Sequence, residues 1–283
     1  MKIPNKITKS VFAAAASLIA ISVATPASAQ CVPGPGALST ECDVPGVSEA
    51  TASGLRPTAT GNSALATADG ASAYGDRTTA SGLNSTAVGR LATAEGAGAT
   101  AVGNTASADA DGSSAIGDNA NATGVNSVAV GNLARALDED AVAVGDAAQA
   151  TGFHSTAVGG EAVASGRGAQ TFGWQARATG ELATALGHQA QATGVRATAV
   201  GKNAFATADG TTALGDRTTA SGLNSTALGR LATAEGADSV AVGNTASADA
   251  GGAAAFGNNG NATRLTHTAL GNLPLGRRAG AGP

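Results

Sequence analysis

Aromatic side chains are almost missing from this sequence: they make up 2% of 283 residues, with one Trp, one Tyr and a single Met beside them. A globular core normally draws most of its buried area from such large residues, so this chain must pack with small ones. Cysteine is scarce as well. Cys31 and Cys42 are the only two, and two thiolates with no His nearby are too few for a closed zinc site. Basic residues are outnumbered, 16 against 20 acidic, for a formal net charge of −4. That balance speaks against a nucleic-acid partner, which needs a basic face. Long apolar runs are absent too, since nothing approaches the ~20 residues of a spanning helix.

What the N-terminus does have is a leader pattern. Lys2, Lys6 and Lys9 precede the apolar run VFAAAASLIAISV, and TPASA follows, ending at Ala29. This reads as a secretory signal peptide over 1–29, with the mature chain beginning at Gln30. Its removal takes the net charge from −4 to −7 by loss of those three lysines. In an exported chain the pair Cys31 and Cys42, in CVPGPGALSTEC, reads as a local disulfide within an N-terminal cap segment, 30–55.

Glycine is abundant, and it keeps time. It stands at position 61 and at every fourteenth residue after it up to 271, with no insertion. Residues 75 to 112 also recur almost unchanged at 215 to 252, an offset of ten whole periods. A disordered Gly/Ala tract has biased composition but no phase. A fixed phase means an additive structural unit. Glycine recurring within the unit would break a helix, whereas two short strands with a turn after each make one coil of a β-solenoid. In the stretch NSTAVGRLATAEGA the strands are expected at Ser85 to Val88 and Leu91 to Glu95, with positive-φ glycines at both corners.

Alternation along a strand assigns the faces. Two before each period glycine stands Ala, as in Ala87, Ala101 and Ala129, with Thr171 the exception; Ala80, Ala94, Ala108 and Ala122 mark the second strand. These two alanine ladders are expected to face each other inside a thin coil. The residue just before each glycine points the other way, yet from Gly75 on it is always apolar: Val88, Val102, Ile116, Val130, Val144, Val158, Phe172, Leu186, Val200, Leu214, Leu228 and Val242 carry most of the stripe. So long an apolar stripe exceeds what monomers expose. It implies burial against further copies of the chain. The alternative, stripe inside and alanines outside, is left open by periodicity alone.

NSVAVG at 126 to 131, with NSTAVG at 84 to 89 and DSVAVG at 238 to 243, resembles the repeat of YadA-like heads of trimeric autotransporter adhesins, over about residues 56 to 272. The resemblance implies a left-handed parallel β-roll (β-solenoid) of fourteen-residue coils, assembled as a homotrimer, displayed on the bacterial surface as a virulence-type adhesin and binding host extracellular matrix such as collagen. On that reading the strand motif Asn126, Ser127 and Val128 is a ligand-binding candidate. The family's coiled-coil stalk and membrane barrel have no counterpart after the last coil. The ending NLPLGRRAGAGP, an irregular tail from 273 to 283, reads as a truncated piece of a longer adhesin in preference to a released, unanchored protein. This chain as given therefore inserts in no membrane; it is exported, and sits at the outer membrane only if an anchored form exists.

Chemistry is otherwise thin. No cofactor motif, catalytic constellation or metal set stands out, so the chain does not read as an enzyme. His154, His188 and His267 are expected to be solvated turn residues without a carboxylate at ligand spacing, and Asp138-Glu139-Asp140 a solvated turn. Trp174, His188 and Lys202 each follow a period glycine, so they should stack on one corner ~4.8 Å apart. That corner is a candidate contact for a ligand; a Trp ring folded back over Phe172 is the plain structural alternative. A secreted structural or ice-binding solenoid is the competing function. Its mark would be a regular Thr ladder, and Thr79, Thr93, Ser107, Asn121, Arg135, Gln149 and Val163 form none.

Overall fold

Strands of only two or three residues build the coils, because a fourteen-residue coil with two tight corners leaves room for no more. The computed structural model describes residues 30–33, 40–43 and 49–271; the leader expected at 1–29 and the irregular tail expected at 273–283 lie outside the described residues. In each coil a three-residue strand such as Val128–Val130 is followed by a two-residue strand such as Arg135–Ala136. Like strands of successive coils pair in parallel, with a register shift of one period: Val128 opposite Val142, Ala129 opposite Ala143, Val130 opposite Val144. Two long parallel sheets result, one of three-residue and one of two-residue strands, and the fold is an all-β parallel solenoid.

The backbone is satisfied between coils as well as in the turns. Val128 N donates to Ala141 O at 2.9 Å, Gly131 N to Ile116 O at 2.8 Å and Leu133 N to Asp118 O at 2.9 Å. Each coil thus binds its neighbours on both sides, as in other one-dimensional repeat proteins.

The N-terminal end is closed differently. Strands β1 (Gln30–Pro33) and β2 (Thr40–Asp43) form an antiparallel hairpin, and β2 continues in parallel onto β4 (Thr58–Thr60). The hairpin register sets Cys31 opposite Cys42, and Cys42 is disulfide-bonded. Glu41 Oε1 accepts the Ala52 amide at 2.8 Å, fastening the hairpin to β3 (Thr51–Ala52).

Inside the solenoid the ladders are as narrow as the composition demands. Ala129 and Ala136 are fully buried, and so are Ser127 and Ala134. Each coil therefore points four small side chains inward where two alanines were expected, and the added two come from the turn ends of each strand. Thr171 fills a buried alanine position, where its hydroxyl reaches Thr156 O at 3.4 Å. The apolar stripe lies outside, with Val88 at 37%, Phe172 at 41% and Leu186 at 46% exposure. The interior alternative for the stripe is thereby excluded.

Positive-φ glycines stand at both corners as expected, Gly89 (φ 137°) at the first and Gly98 (φ 68°) at the second, but glycine does not fill every left-handed position. Beyond Gly89 the left-handed residue of the first corner is Leu91, at φ 56°, and its equivalents Thr105, Asn119 and Leu133 are not glycine either. Leu91 thus belongs to a turn, and the strand begins only at Thr93. Gly96 has no positive φ; a Cβ there would lie 1.9 Å from Ala110 O, so close coil stacking is what requires glycine.

Candidate ligand surface

Residues one period apart in sequence are neighbours on the surface, so side chains arrange themselves in ladders parallel to the solenoid axis. Small amides and carboxylates link along them: Asn104 Nδ2 donates to Asp118 Oδ1 and Asn132 Nδ2 to Asp146 Oδ1, both at 2.8 Å. Arg90 pairs with Asp76 at 3.7 Å, and the duplicated Arg230 with Asp216 at 3.8 Å. Such exposed pairs contribute only ~0–1 kcal/mol each. They mark the surface and do not hold the fold.

Trp174, His188 and Lys202 fall on one of these ladders, all exposed. The Trp174 and His188 rings lie with centroids 4.9 Å apart at 38°. The indole also leans toward the previous coil, where Gly160 makes room: a Cβ at Gly160 would sit 3.2 Å from Trp174 Cδ1. The ring thus spans the corner between Gly160 and His188, and remains 46% exposed.

The NSVAVG motif resolves into structural roles. Asn126 holds a left-handed corner at φ 56°, a conformation Asn tolerates well. Ser127 is fully buried and its Oγ has no partner, which removes it from the ligand-facing candidates; its strand position turns inward. Val128 and Val130 are half-buried on the outer face. On that same face, one step from the apolar stripe, stand Thr184, Thr198, Thr212 and Thr226 in consecutive coils. A threonine ladder therefore exists, on the strand opposite the one where the sequence reading looked for it.

His154 likewise departs from expectation. Its Nε2 lies 3.2 Å from Asp140 Oδ2, and with Glu139 it forms an exposed trio whose ligand atoms fall within 4.8 Å of one another. A separation of one whole coil is ligand spacing in a solenoid. Phe153 stacks on His154 with ring centroids 3.9 Å apart, and Arg167 lies over the Phe153 ring, 5.3 Å from its centroid. Two carboxylates and an imidazole can take a divalent cation by chemistry, with every ligand open to water.

A second amide ladder escaped the sequence reading altogether. Gln189 Nε2 donates to Gln175 Oε1, and Gln175 Nε2 to Glu161 Oε2, each at 2.8 Å. Its sequence signal was available, since five of the six glutamines in the chain lie between 149 and 191.

Comparison with known proteins agrees with this repeat. The YadA head domain repeat, in its two-copy form, matches residues 66–92, 80–106, 94–120, 122–148, 150–169, 178–204, 206–232 and 234–259. These segments cover more than half of the chain, and the chain belongs to the YadA head domain repeat family. Residues 170–177, which hold Phe172, Trp174 and Gln175, fall between the matched segments. Among solved structures, the collagen-binding domain of Yersinia adhesin YadA is 22% identical, over 82% of this chain and 75% of that one, with a TM-score of 0.17. Comparison with curated proteins gives no match.

Proposed function

We propose that this protein is a non-enzymatic adhesin head, exported and displayed at the bacterial surface, which associates as a homotrimer and binds host extracellular matrix such as collagen. The observation that carries the reading is the half-exposed apolar stripe running through a chain whose repeats belong to an adhesin family. On this reading Val88, Val130 and their equivalents meet a shared axis, and the opposite strand and its corners stay open for ligands. Cys31 and Cys42 pair in the cap, holding the first coil closed. Many weak contacts along a rod, multiplied over three chains, give avidity without a single strong site. Sedimentation of the mature chain, followed by solid-phase binding to collagen, fibronectin and laminin, tests both halves. A trimer binding at least one of them is expected, and background binding to all three by a verified trimer would remove the matrix reading.

The threonine ladder at Thr184, Thr198, Thr212 and Thr226 supports a second reading, an ice-binding solenoid. Thermal hysteresis separates the two, since a head that buries this face in a trimer cannot present it to ice.

A further inference from the structure

The four coils from Glu161 to Phe205 carry a groove of about 390 Å³ on the two-residue-strand side of the solenoid. That volume falls within the ~300–1,000 Å³ typical of ligand sites. One wall is the ladder Glu161, Gln175, Gln189 and Asn203; the other is Arg177, Gln191 and Phe205. Successive residues of each wall are one coil apart, so polar groups repeat along the groove every ~4.8 Å.

We propose that this groove binds an extended oligosaccharide, one pyranose ring to a coil. An amide both donates and accepts, as a sugar hydroxyl does, and in one coil Gln189 and Gln191 set an amide on each wall. The bonds from Gln189 to Gln175 and from Gln175 to Glu161, 2.8 Å each, fix two of those amides before any ligand arrives, which lowers the cost of ordering them. At the other end Asn203 Oδ1 is buried and has no partner. A pyranose unit of an extended chain advances slightly more than the ~4.8 Å coil spacing, so a stretch of a few rings stays near step with the walls. The half-buried Phe205 offers a ring face to the apolar side of a terminal sugar.

Other ligands fit less well. A peptide strand needs apolar recesses for its alternate side chains, and Phe205 is the single aromatic or aliphatic residue in the lining. A polyanion would meet Glu161 as well as Arg177.

Sequence points to the same four coils. Gln175, Gln189 and Gln191 stand where the coils at 75–112 and 215–252 have Arg, Leu, Thr and Ser, as at Arg77, Leu91, Thr93 and Ser107. The groove also lies away from the apolar stripe, so association through the stripe leaves it open. It deepens the adhesin reading by giving a ligand class, and rests on that reading only for its biological setting.

Titration calorimetry of the mature chain with chitohexaose, and separately with cellohexaose, tests the groove. Saturable binding of either sugar is expected, weakened at least tenfold by Arg177→Ala and by Gln191→Ala. Arg135→Ala, at the same coil position three coils earlier, should leave it unchanged. Thermal melts matching the wild type establish that these outward substitutions keep the fold. No saturable binding of either oligosaccharide, or wild-type affinity in both groove variants, would overturn the proposal. Matrix binding measured on the same preparations keeps the readings apart: sugar binding without matrix binding removes the matrix reading alone, and the reverse removes the groove alone.

Discussion

Trp174 lies against His188 with ring centroids 4.9 Å apart, although a whole coil of chain separates them. Asp140 and His154, equally separated, meet at 3.2 Å. In a parallel solenoid the ladder, and not the local sequence, is the unit of surface chemistry. Any pair one period apart is adjacent, whatever stands between.

Trp174 is the single tryptophan, so its fluorescence reports one place on the surface. Its 46% exposure and its corner position, off the apolar stripe, predict ready quenching by acrylamide, and no loss of that quenching when the chain associates. Protection on association would place the corner inside the interface and move the contact away from Val88 and Val130. Trp174→Ala should change stability by no more than about 0.5 kcal/mol, as surface substitutions usually do.

Much of this fold was legible because a strand has a period of two and a coil a period of fourteen. Once the glycine phase fixes one residue, alternation fixes the others, which is why Ala129 falls inside and Val130 outside. Alternation fails at the corners, where φ changes sign. Leu91 was therefore misplaced, since it occupies a left-handed turn that composition does not advertise; Ser127, two residues before Ala129, is inward by alternation itself, and only the family resemblance put it among the ligand candidates. The amide ladder from Glu161 to Gln189 and the Asp140–His154 pair stayed hidden for a different reason. The glutamines cluster visibly along the chain, but which of them meet, like the Asp140–His154 contact, appears only when coils are stacked in register.

The corner at Leu133 offers a test of stored strain. Its φ of 57° costs a branched residue roughly 1–2 kcal/mol, and its side chain is 50% exposed, so little packing is lost by replacing it. Leu133→Asn should therefore stabilise the head by about 0.5–1 kcal/mol in urea denaturation. Destabilisation by a similar amount would mean that the exposed leucine is held by a partner.

The interior tolerates no growth. Ala129 is fully buried between the two sheets, and its neighbours Ala115 and Ala143 occupy the same ladder. Ala129→Leu must push the sheets apart, at a cost of about 1–3 kcal/mol or more. Because each coil binds only its neighbours, the damage should stay local: limited proteolysis is expected to cut near 129 while the coils beyond 200 remain protected. Uniform loss of protection would show that the rod melts as one unit.

The apolar stripe separates folding from association. Val130 is half-buried in the isolated chain, so Val130→Asp can keep its carboxylate hydrated there and costs the fold little. In a trimer packed through the stripe, three such carboxylates would meet in a dry interface. Each forfeits up to ~1.5–3 kcal/mol of apolar burial and must also be desolvated or protonated. Thr93, on the two-residue strand, points outward on the other sheet, and Thr93→Asp should cost little in either state. The expected sedimentation result is therefore asymmetric: Val130→Asp shifts the head from trimer to monomer with its far-UV signal intact, while Thr93→Asp stays trimeric. Equal behaviour of the two variants would show that the stripe is not the contact surface, and a wild type that sediments as a folded monomer would show that no such contact forms.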